Sequence, residues 1–222
     1  ITWIFIVIFS SEGIFSLAQN NDIFFKNGSR NEKLIALTFD DGPHPKETYE
    51  ILNILNKYNV KATFFVVGKH ANWYSKPLIE ASKEGHEIGN HTFSHPDISN
   101  LSSDDIKKEI KECEDALIKL TGKKPTLFRP PYGSYGKDQL GEIAKECGYK
   151  IILWTSIDAK DWKNPPSAQI SNTIINKVQN GDIILLHDYG TENTVQALDV
   201  IIPTLTKEGY KFVTVSELIG EN

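Results

Sequence analysis

The chain carries six histidines, and four of them (His44, His91, His95 and His187) fall in short polar clusters that also hold aspartates. His91 and His95 are four residues apart. On a helical turn that spacing puts two imidazoles on one side, where they can share a metal ion. The third ligand on offer is Asp40 or Asp41. Two His and one carboxylate with an open position make up a catalytic zinc site rather than a closed structural one. Adjacent side chains diverge at a strand end, so one aspartate would face the ion and the other its bound water. A single dipeptide then supplies both a ligand and a general base. Two carboxylates this close ionise together only beside a cation, and both the metal and Arg129 can serve.

Arg129 opens the segment Arg129-Pro130-Pro131-Tyr132-Gly133. Its φ-restricted backbone suits an N–H held toward a developing oxyanion. His187 follows Ile183-Ile184-Leu185-Leu186, with Asp158 a spare carboxylate for it, and is a candidate acid. Each group has a plainer reading taken alone: a polar turn at Asp40-Asp41, a surface Arg129, a hydrogen-bonded core His187.

The elements that would position these groups alternate regularly. β-rich runs occupy 34–39, 62–67, 87–90, 126–128, 151–154, 183–186 and 211–215, with helical patterns over 48–58, 77–84, 104–120, 137–146, 168–178 and 195–207. Ser102 or Ser103 before Asp104-Asp105 marks a helix start. Gly85, Gly148 and Gly209 each stand between a helix and the next strand, as left-handed helix stops. Strict alternation implies parallel strands. With no dinucleotide glycine fingerprint, the expected fold is α/β: a single distorted (β/α) barrel of about seven parallel strands. The chemically loaded clusters follow successive strands, so they would gather at the carboxyl-terminal rim, where such barrels keep their active sites.

The bulk numbers fit one domain. The chain has 222 residues, 40% hydrophobic and 24% charged, with a formal net charge of -5. That charge implies no affinity for nucleic acid. The lysine clusters at 107–111 and 119–124 read as solvated surface. Cys113 and Cys147 are expected as two buried thiols rather than a disulfide. The apolar run Ile4-Phe5-Ile6-Val7-Ile8-Phe9 and the small-residue ending Ser16-Leu17-Ala18 read as a signal peptide or N-terminal anchor over 1–18. The expected localisation is therefore secreted or cell-surface. Residues 19–32 read as a polar linker or early loop, and 33–222 as the catalytic domain.

Five segments together closely resemble the polysaccharide deacetylase family, the NodB-homology domain of carbohydrate esterase family 4. They are Thr38-Phe39-Asp40-Asp41-Gly42-Pro43, His91-Thr92-Phe93-Ser94-His95-Pro96, Arg129-Pro130-Pro131-Tyr132-Gly133, Asp158-Ala159-Lys160-Asp161-Trp162 and Leu185-Leu186-His187, in the family's order. The resemblance runs from about Lys33 to Leu218. It implies metal ligation by Asp41, His91 and His95, with Asp40 as base and His187 as acid. Arg129 would orient the base, and Asp158 would be the carboxylate that tunes the acid. The Tyr132 amide would serve the oxyanion. Pro131, Trp162 and Leu185 would meet the substrate, the last two as walls of an acetyl pocket. The implied cofactor is one divalent ion, Zn²⁺ first, with Co²⁺ or Ni²⁺ compatible. The implied substrate is a cell-wall or chitin-like polysaccharide: peptidoglycan N-acetylglucosamine first, chitooligosaccharide or acetylated xylan next. A carbohydrate-binding pseudoenzyme would show damage among these groups, and the sequence shows none.

Overall fold

The computed structural model describes residues 23–134 and 139–221, so the signal or anchor expected over 1–18 lies outside the described residues. Its strands are β1 (Phe24–Phe25), β2 (Leu34–Asp40), β3 (Thr63–Val66), β4 (Glu87–Asn90), β5 (Leu127–Phe128), β6 (Lys150–Ile152), β7 (Ile183–His187) and β8 (Lys211–Phe212). All the ladders between them are parallel. Seven strands run in the order β1-β6-β5-β4-β3-β2-β7, and β8 pairs with the start of β2. Helices lie between them: α1 (Glu47–Lys57), α2 (Gly68–Trp73), α3 (Ser75–Lys83), α4 (Ser103–Thr121), α5 (Gln139–Cys147), α6 (Ser167–Ile175), α7 (Glu192–Lys207) and, after β8, α8 (Val215–Leu218). The expected α/β barrel is present as a curled, incompletely closed form. Its edges β1 and β7 are joined by Gly28 N–H to Gly181 O at 2.8 Å, and Thr155 N–H past β6 reaches Ile183 O at 3.2 Å.

The strand that completes this order lies where the sequence suggested a linker. Phe24 and Phe25 pair with Ile151 and Ile152, and the Phe25 side chain is buried. The linker expectation over 19–32 is corrected for this stretch. A two-residue strand among Asn, Asp and Ser is too short to show alternation, and only its tertiary pairing defines it.

Strand periodicity sorts the core. In β2, Ile35, Leu37 and Phe39 join the large cluster under the helices, whereas Ala36 joins the cluster inside the barrel. Thr38 and Asp40 share the inward face with Ala36. The same alternation sends Ile183 inward and Ile184 and Leu186 outward in β7, so that Leu185 and His187 also face in. β2 is central and covered on both faces, and is buried from Ile35 to Asp40.

The expected punctuation is present. Ser102 Oγ caps α4 by accepting from Asp105 N–H at 3.2 Å. Gly85, Gly148 and Gly209 take φ of 82°, 77° and 90°, which a residue with a Cβ adopts only under strain. Cys113 is a buried free thiol; Cys147 is also free but only half-buried.

Candidate active site

The inward-facing residues end in a cleft of about 350 Å³ at the carboxyl-terminal rim. Every residue expected at the site lines it except Arg129 and Pro131, and Trp154 lines it unanticipated.

Asp41, His91 and His95 offer ligand atoms within 4.8 Å of one another. Asp41 Oδ1 lies 3.4 Å from His91 Nε2 and 3.1 Å from His95 Nε2. His91 Nδ1–H donates to the Arg129 carbonyl at 2.7 Å, which leaves the Nε2 lone pair facing the carboxylate. Asp41 Oδ1 is buried without a hydrogen-bond partner. An orphaned carboxylate oxygen beside an imidazole lone pair is unfavourable unless a cation stands between them, so these three residues fit a divalent ion.

The two imidazoles do not converge through a helical turn, as their spacing suggested. Thr92 and His95 have φ of 67° and 60°, which breaks any helix there. The turn is held by side chains instead. Asn90 Oδ1 accepts from Thr92 N–H at 2.9 Å, and Thr92 Oγ1 from His95 N–H at 3.1 Å. Glu109 of α4 accepts from Phe93 N–H at 2.9 Å, Ser94 N–H at 2.7 Å and Ser94 Oγ–H at 2.7 Å. Sequence reasoning missed Glu109. Three successive polar groups facing one helix would have been the only cue, and it appears only once the elements are docked.

Asp40 is buried with its Oδ2 3.8 Å from His91 Nε2, beside the cluster. Arg129, fully buried, reaches Asp40 Oδ1 through Nη1 at 2.6 Å and also donates to Thr38 Oγ1 at 2.8 Å. Its Nε and Nη2 donate to Ile152 O and Leu153 O, both at 3.2 Å, and the guanidinium carbon lies 4.0 Å from the Phe65 ring centroid. Arg129 thus stands behind Asp40 rather than in the cleft, and fixes its orientation.

Across the cleft, His187 Nδ1 lies 2.8 Å from Asp161 Oδ1. This corrects the expectation that Asp158 is the partner of His187. Asp158 Oδ1 accepts from Lys160 N–H at 2.8 Å, and its side chain forms part of the cleft wall. The chain then turns through Lys160, φ 51°, into the short 3₁₀ turn Asp161–Lys163, which buries Asp161 under the histidine. Asp161 Oδ2 also accepts from the His187 backbone N–H and from Thr194 Oγ1, both at 2.8 Å. Burial alone would lower the His187 pKa, but Asp161, with Asp40 and Asp41 adding charge, raises it to about 9.

Trp162 and Leu185 line the cleft, with Trp162 55% exposed. Tyr132 is 68% exposed in a one-turn 3₁₀ segment, with φ 59° and its ring 4.8 Å from that of His95. Pro131 is buried in the same turn, which corrects its placement against substrate: it stiffens the wall from behind. Gly133 is required where it stands, because a Cβ there would meet the Trp154 ring at 2.7 Å.

The model of the family described as polysaccharide deacetylase matches residues 27–152. The chain belongs to that family. It is 45% identical over 192 residues to a peptidoglycan-N-acetylglucosamine deacetylase of Bacillus cereus, covering 85% of this chain and 89% of that one. It is 43% identical over 189 residues to the peptidoglycan-N-acetylmuramic acid deacetylase PdaC of Bacillus subtilis, covering 85% of this chain but 39% of that protein. Among solved structures, the Bc1960 peptidoglycan N-acetylglucosamine deacetylase superimposes with a TM-score of 0.87 at 37% identity, over 90% of this chain and 94% of that one. Within this deacetylase family chain, the matched region contains Asp40, Asp41, His91, His95 and Arg129, whereas Asp161 and His187 lie beyond it.

Proposed function

We propose that the chain is a metal-dependent hydrolase that removes N-acetyl groups from peptidoglycan N-acetylglucosamine and releases acetate. The observation that carries this reading is the placement of Asp40 and His187 in one cleft with the Asp41–His91–His95 cluster, each backed by its own buried ion-pair partner. Zn²⁺ is the ion that the two imidazoles and one carboxylate suit best. When bound, such an ion supplies Lewis acidity and lowers the pKa of a water.

The protein's own residues carry the proton traffic. Asp40, held by Arg129, takes a proton from the water whose oxygen adds to the acetamide carbonyl carbon. The Tyr132 backbone N–H donates to the carbonyl oxygen as it gains negative charge. His187, protonated through Asp161, gives its proton to the nitrogen as the C–N bond breaks. The products are acetate and a free amino sugar. Trp162 and Leu185 confine the acetyl methyl and exclude bulk water.

The relatives' printed substrates support a cell-wall glycan, and the apolar segment 4–9 supports export as a signal peptide or anchor. The test is acetate release from peptidoglycan, N-acetylglucosamine oligomers and acetylated xylan, each with chelator-treated and metal-restored protein. The expected result is metal-dependent release that is fastest from peptidoglycan. Faster release from acetylated xylan would make the protein an esterase, and release indifferent to chelation would refute the metal assignment.

A further inference from the structure

Among the described residues, three aromatic side chains stand more than half exposed: Tyr132 at 68%, Trp73 at 63% and Trp162 at 55%. Two of them line the cleft; Trp73 does not. A single exposed ring is ordinary on a protein surface, so what distinguishes Trp73 is the company it keeps.

Trp73 does not stand alone. It ends α2, and its ring lies 5.4 Å from that of His70. The His70 ring stacks on Tyr189 at 4.3 Å with a 12° interplanar angle. His44 packs edge-on against both Tyr189, at 5.1 Å, and Tyr74, at 6.0 Å. These rings come from the segments following β2, β3 and β7, the same rim that builds the cleft. His70 also ties the group to the metal cluster, since its Nδ1–H donates to the Asp41 carbonyl at 2.6 Å. One exposed indole is thus held by a rigid ring stack, one side chain away from a proposed ligand.

From this arrangement we infer that Trp73, backed by His70 and Tyr189, is a stacking site for a second sugar ring of the glycan whose neighbouring acetamide occupies the cleft. A pyranose presents a C–H face and a rim of hydroxyls. The indole matches the face, and the tyrosine hydroxyls and imidazole edges nearby match the rim. A protein partner would call for a broader apolar patch than a single exposed ring. The inference rests on the deacetylase reading above and adds to it a contact that only a chain of sugars can use. It makes Trp73 a specificity-determining residue for substrate length.

The experiment compares kcat/KM for the N-acetylglucosamine monomer and hexamer in the wild type, Trp73→Ala and Trp73→Phe. The expected result is that Trp73→Ala loses the advantage of hexamer over monomer by about five- to tenfold, roughly the worth of one aromatic contact, and that Trp73→Phe restores much of it. Equal losses on both substrates, or no loss on either, would overturn the inference; the latter would leave a protein partner as the use of Trp73. Calorimetric titration with the hexamer separates this question from the reaction itself. If the wild type releases no acetate from the hexamer, the functional reading falls. The stacking site still stands or falls on whether Trp73→Ala weakens hexamer binding.

Discussion

Asp161 holds His187 at two points: Oδ1 faces the ring Nδ1 and Oδ2 takes the backbone N–H, both at 2.8 Å. The carboxylate therefore fixes the ring's plane and tautomer, and it favours the imidazolium over the neutral ring.

A pH prediction follows from that pair. An acid with a pKa near 9 is protonated throughout the neutral range, so the alkaline limb of kcat/KM should lie near pH 9. Asp161→Asn removes the charge that opposes burial, and the limb should move down by about two units or more toward the ordinary imidazole value. Asp158→Asn should leave the limb where it is. Stability has the same sign. His187 binds its proton more tightly in the folded chain, so the pair contributes fully below about pH 6.5 and its contribution is lost as pH rises through about 9. Denaturation at several pH values in the wild type and Asp161→Asn measures that loss.

Removing the ion should be visible without any substrate. Ligand binding to the folded state stabilises by about 2.7 kcal/mol at a hundredfold excess over Kd, which is about 5–10 °C in Tm for a chain of this size. Chelation should lower Tm by that order and Zn²⁺ should restore it, while His91→Ala should show no response to either. A metal-independent Tm would count against the cluster as an ion site.

Asp40→Asn separates chemistry from structure. The amide can still accept from Arg129, but it cannot take a proton, so turnover should fall by about 10²–10⁴ while the metal-dependent Tm shift persists. Arg129→Met should act differently. It strands a buried carboxylate, and the expected cost of about 3–5 kcal/mol should appear in urea unfolding.

Glu109 offers a test at a distance from the chemistry. It holds the turn that carries His95 through three hydrogen bonds and touches neither imidazole. Glu109→Ala should loosen the ligand geometry and weaken Zn²⁺ affinity by about 10–100-fold, as for other groups that orient metal ligands, with little change in secondary structure. Competition with a chromogenic chelator would show it, and unchanged affinity would make Glu109 a purely structural cap.

What the sequence made legible follows the range of the physics involved. Strand alternation and strand-end position are local, so Asp40, Asp41, His91 and His187 could be placed on one rim from the sequence pattern alone. The pairing of His187 is not local: Asp158 and Asp161 stand three residues apart in one short segment far from it in sequence, and the left-handed turn at Lys160 decides between them. The His91–His95 spacing pointed to two imidazoles side by side, as they are, but to the wrong backbone, because Asn90, Thr92 and Glu109 stabilise a turn that no helical periodicity describes. Phe24–Phe25 was hidden because its partner, β6, lies more than a hundred residues away in sequence.

The direction of that first strand has a consequence for the molecule as a whole. β1 runs parallel to β6, so Phe24 enters at the amino-terminal face of the barrel, and the cleft opens at the opposite pole. The chain therefore enters the described fold at the face turned away from the chemistry. A long polymer can therefore reach the cleft from the pole opposite that entry, and an attachment made at the Phe24 end would leave the cleft open.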